Sequence, residues 1–236
     1  MKFYANFKMN HTRETTLKYI DDINHYLKDS ECKNIYIFPP ATALQKSKGK
    51  VTIGVQNGFF AQSGAYTGEI GLEQLREFSI DTILIGHSER REIFNETQEF
   101  IADKFNFYKN NNFNIVYCIG EPLEVRKEGE DALFDYLLSQ FDGIDTNYKK
   151  LTVAYEPIWA IGTGVSATTN DIELVHNRLK EKFSFDILYG GSVKIDSIEE
   201  IAKIDSVDGV LVGSASLNAK EFATLIKKGI GVKSLN

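Results

Sequence analysis

The sequence has few of the features that characterise extracellular and membrane proteins. Its two cysteines, Cys32 and Cys118, provide neither a disulfide framework nor a metal-binding spacing. No apolar run approaches the roughly 18 residues that a membrane span needs, and the first residues lack the apolar core of a signal peptide. We therefore expect a cytoplasmic protein that is not bound to a membrane.

Positive charge is also scarce, and it is not concentrated in any segment. The 236 residues include 27 Lys and Arg against 33 Asp and Glu, which gives a net charge of −6. This balance argues against binding to nucleic acid or to an anionic membrane surface. An anionic ligand would have to be attracted by local groups. The four histidines show no metal-ligand spacing.

Proline is rare, and all four prolines follow predicted strands. Short apolar runs rich in β-branched residues alternate with longer polar stretches, as in parallel sheets that are buried on both faces. The runs that predict strands are 3–5, 34–38, 51–55, 82–85, 114–119, 151–155, 185–189 and 207–212.

The stretches between these runs have the periodicity of amphipathic helices. Leu17, Ile20, Ile23 and Leu27 would share one helical face, and Thr169 is a suitable N-cap for a later helix. Eight strand–helix alternations predict an α/β protein with a single (β/α)8 barrel domain spanning residues 1–236. An open doubly wound sheet has the same pattern and remains an alternative.

The segment after the sixth predicted strand is the most informative one. The strand ends at Glu156, and Pro157 directly follows it. Proline forces the preceding residue into an extended conformation and ends the strand there. Apolar residues such as Trp159 could exclude water from the carboxylate and make it a better base. Gly162 and Gly164 could let this loop approach a ligand closely.

Two glycine-containing turns follow predicted strands seven and eight, at 190–193 and 213–216. Small residues at a strand-to-helix turn expose backbone N–H groups, and a helix N-terminus adds partial positive charge. Barrels often bind phosphate at these two positions. The turns therefore predict a phosphate site that needs no net positive charge.

Polar residues also follow the first and fourth predicted strands. His87 begins a helical stretch, and a helix N-terminus disfavours the imidazolium, so we expect a neutral hydrogen-bond donor. Lys8 is the nearest cation to the first strand and could balance the charge of a bound anion. Glu89 and Arg91 are expected to form a supporting polar network.

Taken together, these segments closely resemble the triosephosphate isomerase family, and the resemblance covers nearly the whole chain. Such proteins are TIM barrels, and the order and identity of the shared segments are highly specific. The matching stretches are 6–10, 56–57, 64–69, 85–91, 118–121, 154–164, 189–193 and 212–217.

The resemblance implies an aldose–ketose isomerase of glycolysis and gluconeogenesis that interconverts dihydroxyacetone phosphate and D-glyceraldehyde 3-phosphate. Glu156 would be the base that moves a proton between C1 and C2, and His87 would be the neutral electrophile. Lys8 and Asn6 would bind the substrate and stabilise negative charge. These roles come from the family, whose glutamate base, neutral histidine and closing loop are well known.

The resemblance also implies how the phosphate is held and how subunits associate. The backbone N–H groups of Gly162, Ser192, Gly213 and Ser214 would hold the phosphate, and residues 157–167 would form a lid. No metal or organic cofactor would be needed. Family members are usually homodimers, joined through the loop Gly64 to Glu69, with Thr67 nearest the partner's catalytic residues.

Three positions depart from the family pattern. Phe7 stands where a tryptophan is usual, and Val165-Ser166-Ala167 replaces the usual second hinge of the lid. Ser214 replaces a glycine in the last phosphate turn, where it would be strained if φ had to be positive. We expect that φ is not positive there and that the Ser214 N–H still donates.

Two other functions remain possible. Another phosphate-binding barrel isomerase or epimerase would explain the two turns but not Lys8, His87 and Glu156 together. A degenerate barrel acting as a binding protein should have lost a catalytic group, and none is missing from the sequence.

Overall fold

One parallel eight-stranded sheet organises the fold in the computed structural model, which describes residues 1–160 and 166–233. The strands follow the order β3-β2-β1-β8-β7-β6-β5-β4, and every pairing is parallel. They span β1 Lys2–Asn6, β2 Ile35–Phe38, β3 Val51–Ile53, β4 Thr82–Ile85, β5 Asn114–Ile119, β6 Leu151–Tyr155, β7 Asp186–Tyr189 and β8 Gly209–Val212.

Val55 connects the two ends of this sheet. Just beyond β3, its N–H donates to the carbonyl of Thr82 at 2.9 Å, and its own carbonyl accepts from the N–H of Leu84 at 2.9 Å. This parallel bridge joins β3 to β4 and brings the sheet to a nearly closed barrel. The predicted (β/α)8 fold is confirmed, and the open doubly wound alternative is wrong.

Helices follow the strands along the described chain and cover the outside of the barrel. Three short 3₁₀ turns lie at 41–43, 158–160 and 214–216. The α-helices are α1 Arg13–Tyr26, α2 Leu72–Glu77, α3 Ser88–Glu92, α4 Gln98–Asn110, α5 Leu123–Lys127, α6 Glu130–Ser139, α7 Thr169–Lys182, α8 Ile198–Lys203 and α9 Ala219–Lys233.

Two helical details differ from the sequence prediction. Leu17 is half exposed rather than buried, because Tyr19 takes the inward position of α1 and its hydroxyl donates to the carbonyl of Ser216 at 2.6 Å. The N-cap of α7 is Thr168 and not Thr169. Thr168 and Asp171 form a capping box, which satisfies two backbone N–H groups that would otherwise lack an acceptor.

The barrel interior is filled by its own cluster of buried side chains, separate from the larger apolar layer between sheet and helices. Because each strand is buried on both faces, alternate residues contribute to the two layers. The interior cluster comprises Tyr4, Phe38, Leu84, Val116, Cys118, Ala154, Leu188 and Leu211.

Phe38 occupies interior space that depends on a glycine directly beside it. A Cβ added to Gly54 would lie 2.3 Å from the Phe38 ring. Phe38 is fully buried and also packs against Tyr4, with the ring centroids 5.9 Å apart. The missing side chain at Gly54 therefore makes room for the aromatic ring.

All eight strands belong to one sheet, and we propose that residues 1–236 form a single domain. Within the described residues, no helix is both long enough and apolar enough to cross a membrane.

We expect Gly54→Ala to destabilise the protein by about 1–3 kcal/mol, because overpacking forces a buried ring out of its preferred position. The measurement is urea unfolding followed by circular dichroism. Gly231→Ala in α9 is the control, since among the described residues no neighbouring atom lies within 4 Å of an added Cβ.

The control should stabilise by about 0.5–1 kcal/mol, because alanine favours the helix over glycine. A Gly54→Ala protein as stable as the wild type would show that Phe38 can move aside at little cost.

Candidate active site

A cleft of about 360 Å³ opens at the C-terminal ends of the barrel strands. Barrel enzymes bind substrates at this end, where the loops that follow different strands converge. The cleft brings together residues that are far apart in sequence. Those predicted for the site that line it are Asn6, Lys8, His87, Glu156, Ser192, Gly213 and Ser214.

His87 is placed by the turn between β4 and α3. Gly86 precedes it with a φ of +75°, a conformation that favours glycine. His87 is the N-cap of α3, and its Nδ1 accepts the N–H of Glu89 at 3.2 Å. An Nδ1 that accepts a hydrogen bond carries no proton. This hydrogen bond favours the neutral tautomer with its proton on Nε2, which faces Glu156.

Glu156 lies directly after β6 and is buried together with His87. Its Oε1 is 3.1 Å from Nε2 of His87, and its Oε2 accepts the backbone N–H of Ser88 at 3.1 Å. Both carboxylate oxygens therefore have a donor. The structure brings the two predicted catalytic side chains into direct contact.

The protonation of this pair is set by burial and by mutual contact. Burial raises the pKa of Glu156, but the His87 ring, the Ser88 N–H and Lys8 outweigh it and hold the pKa below its ordinary value. Burial lowers the pKa of His87, whereas the Glu156 carboxylate raises it, and the net result is a raised pKa. The ionised carboxylate is therefore the stable form of Glu156.

Two glycines allow Glu156 to occupy its position. A Cβ on Gly120 would lie 1.8 Å from the backbone oxygen of Glu156, and one on Gly190 would lie 2.9 Å from its Cγ. Real Cβ atoms do not approach so closely. Gly190 was predicted as part of a phosphate turn, and its close approach to Glu156 is a further reason for a glycine there.

Lys8 is held at the cleft in a left-handed backbone conformation, with a φ of +51°. The side-chain oxygen of Asn6 accepts the Lys8 N–H at 3.0 Å, and the side-chain amide of Gln56 donates to the Lys8 carbonyl at 2.8 Å. These contacts stabilise a conformation that is unfavourable for a residue with a Cβ. The Lys8 ammonium donates to Glu89 at 2.6 Å.

The predicted polar network around His87 is in fact divided. Glu89 pairs with Lys8 on the cleft side. Arg91 lies behind His87, where its Nε donates to the carbonyl of Gly86 at 2.8 Å and one terminal nitrogen donates to the hydroxyl of Tyr117 at 3.0 Å. Arg91 therefore supports the backbone and does not face the cleft.

The turns after β7 and β8 form the opposite wall of the cleft. Within the described residues, the N–H groups of Ser192, Gly213 and Ser214 have no protein acceptor. Ser214 begins a 3₁₀ turn, and its φ is not positive, as expected. Gly162 and Val165 lie outside the described residues, so the predicted phosphate contact and lid hinge at these positions stay predictions.

Two residues with contacts at the site were not singled out from the sequence. Lys194 directly follows the turn at 190–193 and lines the cleft. Glu121 is fully buried and accepts hydrogen bonds from the Tyr155 hydroxyl at 3.0 Å and the Trp159 indole N–H at 2.8 Å. The sequence identified Glu121 only as part of the stretch 118–121 that is shared with the family. Its hydrogen-bond partners lie on β6 and in the loop after it, so the sequence alone did not reveal its contacts.

The arrangement suits proton transfer next to a carbonyl group of an anionic substrate. It combines an ionised carboxylate, an imidazole N–H donor, an ammonium and backbone N–H groups that have no acceptor among the described residues, all around one cleft. Among the described residues, no group of three or more His, Cys, Asp or Glu side chains could hold a metal ion.

Comparison with known proteins agrees with this geometry. The family "Triosephosphate isomerase" matches residues 2–229. A triosephosphate isomerase from Sulfurovum sp. (strain NBC37-1) is 57% identical over 227 residues, which cover 96% of this chain and 99% of that protein. One from Wolinella succinogenes is 51% identical, covering 95% and 98%. One from Sulfurimonas denitrificans is 48% identical, covering 98% and 97%. The chain therefore belongs to the triosephosphate isomerase family.

Proposed function

We propose that this protein interconverts dihydroxyacetone phosphate and D-glyceraldehyde 3-phosphate, with Glu156 as the base. The main structural support is the contact between the buried Glu156 carboxylate and His87 beside the phosphate turns. Membership of the family supports the same reaction and a place in glycolysis and gluconeogenesis.

Glu156 has to leave His87 before it can act on the substrate. In the structure, the Nε2–H of His87 is directed at Glu156, so the same proton cannot also polarise a substrate carbonyl. When the substrate oxygen replaces the carboxylate at Nε2, Glu156 becomes free to remove the proton from the adjacent carbon. Its low pKa keeps it ionised and ready to accept that proton.

Replacement of the Glu156 carboxylate by the substrate oxygen also keeps His87 neutral during the reaction. The Glu156 carboxylate is the main group that raises the pKa of His87, and burial opposes it. Once Glu156 turns towards the substrate, burial and the N–H of Glu89 at Nδ1 favour the neutral ring. His87 then donates a hydrogen bond to the developing enediolate oxygen.

Lys8 and the turns hold the rest of the substrate. A phosphate that accepts the N–H groups of Ser192, Gly213 and Ser214 would lie near the Lys8 side chain, whose Cε is 3.6 Å from a Cβ placed on Gly213. We assign Gly162 and Asn6 to substrate binding as well. Lys194 adds a second positive charge at the cleft of an acidic protein.

We also infer that two copies associate through the loop Gly64 to Glu69. Tyr66 in this loop is 50% exposed, and Met9 and Phe94 are 95% and 60% exposed around a groove of about 260 Å³. Exposed apolar side chains in a cluster indicate an interaction surface. The groove is also lined by Lys8 and His87, so a partner's loop would complete the wall of the active site.

We place the protein in the cytoplasm, since its family acts in glycolysis and both of its cysteines are free and buried.

Glu156→Gln should lower kcat by at least about 10²-fold, because the general base is lost while the side chain keeps its size. The assay supplies dihydroxyacetone phosphate and follows glyceraldehyde 3-phosphate through a coupling enzyme. Wild-type protein without turnover would refute the proposed function. A Glu156→Gln variant near the wild-type kcat would remove Glu156 from its role as base.

The same substitution should lower the pKa of His87, because it removes the carboxylate that raises this pKa and leaves burial, which lowers it. Imidazole nitrogen NMR shifts across a pH titration give the pKa and the tautomer. His176 is an internal control, since burial lowers its pKa to about 4 and Glu156 is not among the groups acting on it. An unchanged His87 pKa would mean that Glu156 is not its main partner in solution.

Tyr66→Glu should convert the dimer to monomer and lower kcat/KM, because a carboxylate is poorly accommodated against exposed apolar side chains such as Met9 and Phe94. Light scattering with size-exclusion chromatography gives the mass, and the coupled assay gives the activity. Tyr26→Glu is the control, since Tyr26 is also exposed but lies at the end of α1 and not in the loop Gly64 to Glu69. A fully active wild-type monomer would contradict the shared active-site wall.

A further inference from the structure

The position of Glu156 depends on a neighbouring peptide that a side chain holds in place. The Glu156 N–H donates to the carbonyl of Ile119 at 2.7 Å, and its backbone oxygen occupies the space that a side chain at Gly120 would fill. Any shift of the Gly120 peptide towards β6 would therefore push directly on the backbone of the base.

The side-chain amide of Gln140 makes two hydrogen bonds to Gly120, one through its oxygen and one through its nitrogen. Its Oε1 accepts the Gly120 N–H at 2.9 Å, and its Nε2 donates to the Gly120 carbonyl at 2.8 Å. Gln140 is only 7% exposed and directly follows α6. Its side-chain amide thus replaces the neighbouring strand as the partner of Gly120, where the ladder of β5 has ended.

The main chain of Gln140 is itself fixed by a partly buried polar network. Its carbonyl accepts from the Tyr117 hydroxyl and from the side-chain amide of Gln98, the latter at 2.8 Å. Tyr117 and Gln98 both contact Arg91, which donates to the carbonyl of Gly86 just before His87. One network therefore touches the backbone behind both members of the catalytic pair.

We propose that Gln140 is a positioning residue, which fixes Glu156 relative to His87 by clamping the peptide of Gly120. This inference rests on the proposed role of Glu156 as the base. Gln140 does not line the cleft and touches no reacting atom. Its loss should affect the chemical step, because small displacements of a reacting group strongly reduce catalysis. Binding of the phosphate should be unaffected, since the turns after β7 and β8 are separate from this clamp.

The test compares Gln140→Leu with Asn24→Leu in the full-length protein. Asn24 is a matched control, because its amide also clamps a glycine turn: it donates to the carbonyl of Lys48 at 3.0 Å and accepts the Lys50 N–H at 2.8 Å. Gln140→Leu should lower kcat by at least about ten-fold, with KM and inhibition by inorganic phosphate nearly unchanged. Asn24→Leu should lose stability with an unchanged kcat.

A second variant keeps the test informative if Gln140→Leu does not fold. In Gln140→Glu, the ionised carboxylate accepts the Gly120 N–H but cannot donate to the Gly120 carbonyl, whereas the protonated acid can do both. Its kcat relative to the wild type should therefore rise as pH falls. A Gln140→Glu kcat that keeps a constant ratio to the wild type at every pH would overturn the positioning role.

The pKa of His87, measured by NMR, tests the positioning role of Gln140 independently of the proposed reaction. If the clamp places Glu156 beside His87, its loss should lower the pKa of His87 in the substrate-free protein, whatever reaction is catalysed. A folded Gln140→Leu protein with wild-type kcat and an unchanged His87 pKa would overturn the inference. An inactive wild type whose His87 pKa still responds to Gln140→Leu would refute only the proposed reaction.

Discussion

The arrangement of this site depends on keeping one ionised carboxylate buried. An isolated charge in a protein interior costs several kcal/mol, so it requires donors at fixed positions. Glu156 receives them from His87 and from the backbone of Ser88, both of which are placed by the turn after β4. The carboxylate and the turn stabilise each other across the barrel.

This constraint explains why so much of the surrounding structure is polar yet buried. Arg91 and Gln140 satisfy carbonyl and N–H groups at strand ends, where the ladder no longer provides partners. The buried Glu121 carboxylate instead connects two side chains, because it accepts from the Tyr155 hydroxyl and from the Trp159 indole N–H. Barrel strands stop abruptly at the cleft, and side chains take over the hydrogen bonds that the next strand residue would have made.

The sequence predicted the strands well because their residues are buried on both faces and form continuous apolar runs. Glu156, His87 and Lys8 were found because each lies within three residues of the end of such a run. Gln140 and the pairing of Lys8 with Glu89 could not be predicted, since their partners are distant in sequence. Tyr19 displaced Leu17 from the helix face because it can also reach the carbonyl of Ser216, a tertiary contact that periodicity does not report.

The packing of Phe38 against Gly54 has a consequence for how such a barrel can change over time. Substitutions at Phe38 and Gly54 are not independent, because a Cβ added at Gly54 and the Phe38 ring would occupy the same space. A lineage that gains a methyl group at Gly54 first would carry a strained core. One that first shortens Phe38 would instead pass through a cavity. Either path crosses a less stable intermediate, so the two positions should change together and rarely alone.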